Sequence, residues 1–228
     1  MLYTTLKDAG YKVAVASTIR FAINEESKAN RFKMTVPGRG FLQRFLKKAV
    51  DAKCTHAIVE LTSESTRQFR HLFLDLDALV FTNLQKEHIE SHGSYEKYAA
   101  AKFEIGRALA KSPKRPRAII ANKDDVASAP YLSLPVETRL PFSSLDASDV
   151  VHGPGTASFT YGGTRFNLKL PGSFTILNAL AVTKAAKFAG VSLAKSAASL
   201  SNLERIPGRT ERIDAGQNFS VVVDYAHT

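Results

Sequence analysis

Short apolar runs with the character of buried strands alternate with longer segments of helical spacing in the first half of the chain. The strand-like runs are residues 12–17, 56–60, 77–82 and 117–122. Residues 41–52 and 94–110 repeat apolar positions at three- and four-residue intervals, which predicts helices. Strands that alternate with helices are typical of crossover connections. The pattern therefore predicts the α/β class, with a mainly parallel sheet flanked by helices.

The two helical segments also indicate which residues pack and which residues cap. In residues 41–52 the candidate core positions are Phe41, Phe45 and Val50. Ser94 directly precedes the second segment, and a serine at that position accepts a hydrogen bond from a free N–H of the first turn. Ser94 is therefore the predicted N-cap.

The second half of the chain has a different pattern. Residues 157–161 and 164–170 alternate around Gly162-Gly163, which predicts an antiparallel hairpin in a small side sheet over residues 143–171. The remaining predicted elements are helices over 174–188 and 192–203 and a strand over 221–223.

Composition places the chain among ordinary globular proteins. Hydrophobic residues make up 44% and charged residues 23%, which excludes disorder as the main state. No segment approaches the roughly 18–20 apolar residues that span a membrane. The first twenty residues include Asp8 and Lys12, so no signal peptide is visible, and the single cysteine, Cys54, fits a reducing compartment. We therefore expect a cytoplasmic protein without a membrane partner.

The net charge of +10 requires an explanation, because basic proteins often bind nucleic acid. Residues 1–53 contain 11 Lys/Arg against 4 Asp/Glu, and smaller excesses are spread over later segments. There is no long basic tail, no recognised nucleic-acid motif and no tryptophan. A solvated basic face, or attraction to a polyanionic small molecule, explains this distribution as well as nucleic-acid binding does.

Polar side chains follow three of the predicted strands at their carboxyl ends, where ligands bind in such sheets. Glu60 ends one strand, Asn83 and then His88 follow another, and Asp224 and His227 follow the last. Carboxylates and imidazoles suit a divalent cation or acid–base chemistry, but solvated loop residues explain the same pattern. The chain has no zinc-type Cys/His spacing and no G-x-S-x-G, so neither a structural zinc site nor a serine hydrolase is supported.

One longer segment changes that balance. It reads Phe81-Thr82-Asn83-Leu84, Glu87-His88, His92-Gly93 and Tyr98-Ala99-Ala100-Ala101-Lys102. This segment closely resembles the motif in the central ATPase domain of Mur ligases, and most of all the branch of UDP-N-acetylmuramoyl-tripeptide synthetases. Further pieces in matching order are Thr55 to Arg70, Pro171-Gly172, Asn178-Ala179-Leu180-Ala181, Pro207-Gly208-Arg209 and Asp224 to Thr228. Several ordered motifs over nearly the whole chain are far more specific than any lone match.

The resemblance implies a Rossmann-like sheet of the P-loop NTPase type, with residues 1–228 forming one central ATPase domain. It implies that Glu60 and His88 hold Mg²⁺ and that Lys102 is carbamylated. The chemistry is consistent, because an ammonium group repels Mg²⁺ whereas an anionic carbamate offers hard oxygen donors. Without the flanking motif, Lys102 would be interpreted as a surface lysine in a salt bridge.

The resemblance also assigns the nucleotide and substrate contacts. Residues facing ATP would be Asn178 at the adenine, Arg209 and Asp224 at ribose or phosphate, and His227 close by. Residues contacting the UDP-N-acetylmuramoyl peptide would be Thr35, Ser63, Gln68 and Arg70. Arg70 suits an anion because its guanidinium is bidentate. His92 would be a supporting or structural residue.

The implied reaction is ATP-dependent amide ligation in peptidoglycan biosynthesis, through an acyl phosphate. The chain departs from the family at Val36, Glu64 and Glu87, and it contains no G-x-x-x-x-G-K-[ST]. The resemblance implies that this phosphate loop precedes Met1 and that a further domain follows Thr228. We therefore expect the isolated chain to be inactive.

Two alternatives remain open. A folylpolyglutamate or cyanophycin-type ligase would share the sheet and the lysine region, although the block from Glu87 to Lys102 and the ending from Asp224 favour the muramyl branch. A degenerate, non-catalytic module that binds nucleotide or nucleic acid is the second alternative.

Overall fold

The computed structural model describes residues 1–32, 34–85, 92–219 and 221–224. The helices are α1 (Leu2–Asp8), α2 (Phe41–Asp51), α3 (Ser63–Arg67), α4 (Tyr95–Lys111), α5 (Ala129–Leu132), α6 (Ser173–Phe188) and α7 (Leu193–Asn202). The strands are β1 (Val13–Ala16), β2 (Arg20–Ile23), β3 (Glu26–Ala29), β4 (His56–Val59), β5 (Ala78–Phe81), β6 (Ala118–Asn122), β7 (Thr138–Phe142), β8 (Ser148–Gly153), β9 (Thr156–Tyr161), β10 (Thr164–Leu168), β11 (Glu211–Ile213) and β12 (Val221–Val223). None of the helices in these ranges is both long and apolar enough to cross a membrane.

The chain divides into two compact units. The larger unit is Gly10–Ser143, and the smaller unit combines Met1–Ala9 with Ser144–Thr228.

Parallel strand pairs form the framework of the larger unit and confirm the predicted α/β class. Strand β1 pairs in parallel with β4 after the crossover through α2, and β5, β6 and β7 pair in parallel throughout. The hydrogen bonds divide these strands between two sheets, in the orders β3-β2-β1-β4 and β5-β6-β7. Strands β1 and β6 are buried along their whole length, which explains their continuous apolar sequences.

The hairpin of β2 and β3 was not predicted from the sequence. Every residue of β3 is exposed, so the segment lacks the apolar alternation by which strands are recognised. Its available signal was Asn24, which lies in the turn and has a φ of 52°. Asparagine tolerates this left-handed conformation better than most residues do.

Two apolar clusters form the core of the larger unit. One packs Phe45 and Leu42 of α2 against β1, and the other packs α4 against β5 and β6 around Tyr98 and Ile119. Of the positions predicted for α2, Phe45 is buried and Phe41 is half-buried. The prediction for Val50 was wrong, because that side chain is 65% exposed near the end of the helix.

A buried arginine joins α4 to the strands β6 and β7. The guanidinium of Arg117 donates to both carboxylate oxygens of Glu137, at 2.8 and 3.1 Å, and to the carbonyl oxygen of Pro135 at 2.8 Å. It also donates to the carbonyl oxygen of Ala110 at the end of α4. These bonds to Arg117 lower the pKa of Glu137 from 4.5 to about 2.

This shift predicts how stability depends on pH. A carboxylate with a depressed folded-state pKa stabilises the fold above its unfolded pKa and loses that effect as the pH falls toward its folded pKa. We therefore expect the unfolding free energies of the wild type and of Glu137→Gln to differ most above pH 4.5 and to converge toward pH 2. Denaturant titrations over this pH range test the prediction. Glu104→Gln, in an exposed ion pair with Arg107, is the control, and a constant difference for Glu137→Gln would contradict the prediction.

The smaller unit contains the predicted hairpin, extended by one further strand. Strands β8, β9 and β10 form an antiparallel sheet, and Gly162 and Gly163 in the β9–β10 turn have φ values of 54° and 75°. Two positive φ angles are what this tight type of hairpin turn requires. Helix α7 packs on β10, and α1 packs on α6 and α7.

The predicted N-cap of α4 is confirmed, because Ser94 accepts from the N–H of Lys97. Helix α7 is capped in the same way by Ser192, which accepts from the N–H of Lys195.

Candidate functional site

The carboxyl ends of β1 and β4 lie side by side and bring Glu60 next to Thr18. The parallel register pairs Ala16 with Val59, so the residues that follow both strands emerge at one edge of the sheet. The Glu60 carboxylate accepts from the backbone N–H of Thr18 at 2.8 Å and from its hydroxyl at 3.0 Å. Glu60 is exposed, so its carboxylate oxygens remain accessible from solvent.

The segment around Thr35 lies at the same edge. The hydroxyl of Thr35 is 2.8 Å from the hydroxyl of Thr18. Thr18 therefore links Thr35 to Glu60 through hydrogen bonds. The amide of Asn30 donates to the carbonyl oxygens of Ser17 and Met34, at 2.9 and 3.1 Å. The loop containing Thr35 is therefore held to the end of β1.

Arg70 and Gln68 meet the other side of this loop. The guanidinium of Arg70 donates to the carbonyl oxygen of Val36 and to the side-chain oxygen of Gln68. Its Nε is buried and has no hydrogen-bond partner among the described residues. The structure thus brings together three of the predicted substrate residues, Thr35, Gln68 and Arg70, around one loop.

Ser63 begins α3, where its hydroxyl lies 3.0 Å from Nε2 of His92. Both residues are buried, and the ring of His92 packs at 5.2 Å from that of Tyr98. Thr66 of α3 donates to the carbonyl oxygen of Ala101 at 2.7 Å, so α3 and α4 are joined directly beside Lys102. The assignment of Ser63 to the substrate remains a prediction. The described contact of its hydroxyl is to His92, which fits a supporting role for that histidine.

Lys102 is half-buried on α4, and its Nζ lies 5.1 Å from the centre of the Tyr98 ring. Within the part of the chain that the structure describes, no carboxylate forms an ion pair with Lys102. The interpretation of Lys102 as a salt-bridged surface lysine therefore finds no support there.

The proposed metal set is only partly described. His88 and the preceding Glu87 lie outside the described residues. Among the residues that are described, no group of three or more His, Cys, Asp and Glu could hold a metal ion. Glu60 fits Mg²⁺ by its accessible hard oxygen atoms, whereas Lys102 becomes a donor of the same kind only as a carbamate.

The predicted nucleotide residues lie in the smaller unit. Asn178 is half-buried on α6. Arg209 is exposed, and its backbone forms an isolated antiparallel β-bridge with that of Ile206. The carboxylate of Asp224 accepts from the backbone N–H and the hydroxyl of Thr210, at 2.5 and 3.0 Å, so Asp224 lies beside the segment of Arg209. His227 lies outside the described residues.

Thr18 is the site residue that the sequence did not indicate. Its available signal was a hydroxyl residue two positions after a buried strand, where a side chain reaches the carboxyl edge of a parallel sheet. One threonine in such a place is too common to stand out without the fold.

Comparison with known proteins gives matches to one family. A family model of the Mur ligase middle domain matches residues 1–186. The chain is 34% identical to a UDP-N-acetylmuramoyl-L-alanyl-D-glutamate–2,6-diaminopimelate ligase of Geobacillus thermodenitrificans, over 97% of this chain and 47% of that protein. It is 32% identical to a UDP-N-acetylmuramyl-tripeptide synthetase of Roseiflexus, over 98% of this chain and 48% of that protein.

A solved structure gives the same picture at the level of the fold. The structure of a UDP-N-acetylmuramoyl-L-alanyl-D-glutamate–2,6-diaminopimelate ligase matches with a TM-score of 0.79 at 24% identity, over 100% of this chain and 47% of that one. The chain spans about half the length of the relatives it matches.

Proposed function

The chain belongs to the Mur ligase family, and we propose on that basis that it is the ATP-binding middle domain of a ligase that adds an amino acid to a UDP-N-acetylmuramoyl peptide. One observation supports this proposal above the others. Thr35, the proposed substrate residue, and Glu60, the proposed metal ligand, meet through Thr18 at one edge of the sheet. Phosphoryl transfer requires the phosphoryl acceptor and the cation that neutralises the phosphates to lie close together.

The proposed reaction has two steps. The terminal carboxylate of the muramyl peptide attacks the γ-phosphorus of ATP, which gives an acyl phosphate and releases ADP. The amine of the amino acid then attacks the acyl carbon, an amide bond forms, and phosphate leaves. Mg²⁺, held by Glu60, His88 and carbamylated Lys102, would neutralise charge on the transferred group.

The remaining residues bind and orient the two anionic substrates. Arg70, whose buried Nε has no partner among the described residues, offers a donor to an anionic group beside the loop of Thr35. Asn178 would contact adenine, while Arg209, Asp224 and His227 would contact ribose or phosphate. The excess positive charge over residues 1–53, 11 basic against 4 acidic, would attract both substrates.

The relatives favour this function over a folylpolyglutamate or cyanophycin-type ligase. Muramyl peptide ligases match at 32–34% identity over nearly the whole chain. A non-catalytic binding module is less consistent with a half-buried lysine at the position of the family lysine and a carboxylate held at the strand end. We further propose that the protein works in the cytoplasm, where nucleotide-activated substrates are found.

An assay of the gene product that contains this chain tests the proposal. We expect ATP-dependent phosphate release with UDP-N-acetylmuramoyl-L-alanyl-D-glutamate only when a suitable amino acid is also present, 2,6-diaminopimelate being the first to try. Folate with glutamate is the matched alternative substrate pair. Release with the folate pair, or none with any muramyl peptide and amino acid, would overturn the proposal. The 228-residue chain assayed alone is expected to release none, because it contains no G-x-x-x-x-G-K-[ST].

A further inference from the structure

Thr18 holds both carboxylate oxygens of Glu60. Its backbone N–H donates to one oxygen at 2.8 Å, and its hydroxyl donates to the other at 3.0 Å. The carboxylate cannot rotate without breaking one of these bonds. Its orientation at the sheet edge is therefore fixed by one residue of the neighbouring strand end.

The bond between Thr18 and Thr35 has a defined direction. An ionised carboxylate only accepts hydrogen bonds, so the single hydroxyl hydrogen of Thr18 is committed to Glu60. The 2.8 Å contact between the two threonine hydroxyls then requires Thr35 to be the donor and Thr18 the acceptor. The hydrogen bonds run from Thr35 through Thr18 to Glu60.

This direction limits what Thr35 can offer to a ligand. The single hydroxyl hydrogen of Thr35 is already donated, so the remaining capacity of that hydroxyl is to accept. The hydroxyl of Thr35 would therefore bind an amide N–H or a hydroxyl group of the substrate, and not a phosphate or a carboxylate oxygen. Nearby bonds from Asn30 to Met34 and from Arg70 to Val36 fix the backbone on both sides of Thr35, so its hydroxyl is held in place.

We propose that Thr18 is a positioning residue that couples the carboxylate of Glu60 to Thr35 and so presents Thr35 to the substrate as a hydrogen-bond acceptor for an N–H or O–H group. The proposal rests on the proposed function for the identity of the substrate, a UDP-N-acetylmuramoyl peptide. The coupling itself rests on the described hydrogen bonds.

Calorimetric titration of the gene product with UDP-N-acetylmuramoyl-L-alanyl-D-glutamate, without ATP or metal, tests the role toward substrate. Thr18→Val removes the hydroxyl at nearly constant shape and is expected to weaken binding about tenfold, the equivalent of one hydrogen bond. Thr18→Ser keeps the hydroxyl and should bind within about twofold of the wild type. Equal affinities of Thr18→Val and the wild type, or equal losses in both variants, would overturn the proposal.

A double-mutant cycle tests the coupling without any substrate. Unfolding is measured for Thr18→Val, for Thr35→Val and for the double variant, and we expect a non-additivity of about tenfold in the unfolding equilibrium constant. The control cycle pairs Thr35→Val with Thr55→Val, and the two effects should be additive. Thr55 is exposed just before β4, and its hydroxyl donates to the carbonyl oxygen of Lys12. Additivity for Thr18 and Thr35 would refute the coupling. If the wild type does not bind the muramyl peptide, the proposed function fails while this cycle still decides the coupling.

Discussion

Replacing Lys102 by arginine in the gene product that contains this chain should lower the ligation rate by about 10²–10³-fold, the usual cost of removing one group that stabilises developing charge. Arginine keeps the positive charge and much of the length but cannot form a stable carbamate. Lys102 is half-buried beside Tyr98 and, within the described ranges, has no ion pair with a carboxylate. The change should therefore remove the proposed metal donor while leaving the fold intact. Initial rates of phosphate release at saturating substrates measure the effect.

The carbamate itself gives a second measurement for this residue. It forms when CO₂ adds to the neutral amine and a proton is lost, so removing CO₂ from the buffer should slow the wild type, and bicarbonate should restore it. The arginine variant should not respond to bicarbonate. Lys97→Arg, exposed on the first turn of the same helix, is the matched control and should behave as the wild type. A fully active Lys102→Arg would refute the role.

Truncating Phe159 to alanine should destabilise the smaller unit by about 3–5 kcal/mol, the usual cost for a fully buried phenylalanine. Phe159 pairs directly with Phe166 across β9 and β10, and their rings stack with centres 4.7 Å apart. Both side chains are 0% exposed, so the change leaves a buried cavity beside the hairpin rather than a surface that water can fill. Denaturant unfolding followed by far-ultraviolet circular dichroism measures the loss, because the chain has no tryptophan to report it.

The control for this prediction is Phe219→Ala. Phe219 belongs to the same unit but is 65% exposed, so the same chemical change should cost less than about 0.5 kcal/mol. Similar losses of unfolding free energy in the two variants would contradict the prediction that the buried ring of Phe159 stabilises the smaller unit.

The parallel framework could be predicted from the sequence because buried central strands have continuous apolar residues. Strands β1 and β6 are such segments, and helix α4 was indicated by its spacing and by its cap Ser94. Strand β3 was not predicted, since an exposed edge strand has no apolar side by which to recognise it. Val50 was wrongly assigned to the core because it lies five residues after Phe45, outside the three- and four-residue spacing of the buried face of α2.

The candidate site was predicted as a set of residues and not as a geometry. Motifs in order along the chain pointed to Glu60, Thr35, Gln68 and Arg70, and the structure places these around one loop at the edge of the sheet. The distances that make them a site depend on the register of β1 against β4. No local pattern encodes that register, because it results from packing between segments that are some forty residues apart in sequence.

The sequence by itself determined the class of fold, the family motifs and the residue types available for chemistry, since these follow from local periodicity and from residue order. Only the tertiary structure decided that Thr18 joins Glu60 to Thr35 and that Ser63 is buried against His92. It also decided that the guanidinium of Arg117 donates hydrogen bonds to the carboxylate of Glu137. Each of these contacts unites residues from separate elements. A hydrogen bond acts over about 3 Å, so its existence depends on the packed positions of whole strands and helices and not on any stretch of sequence.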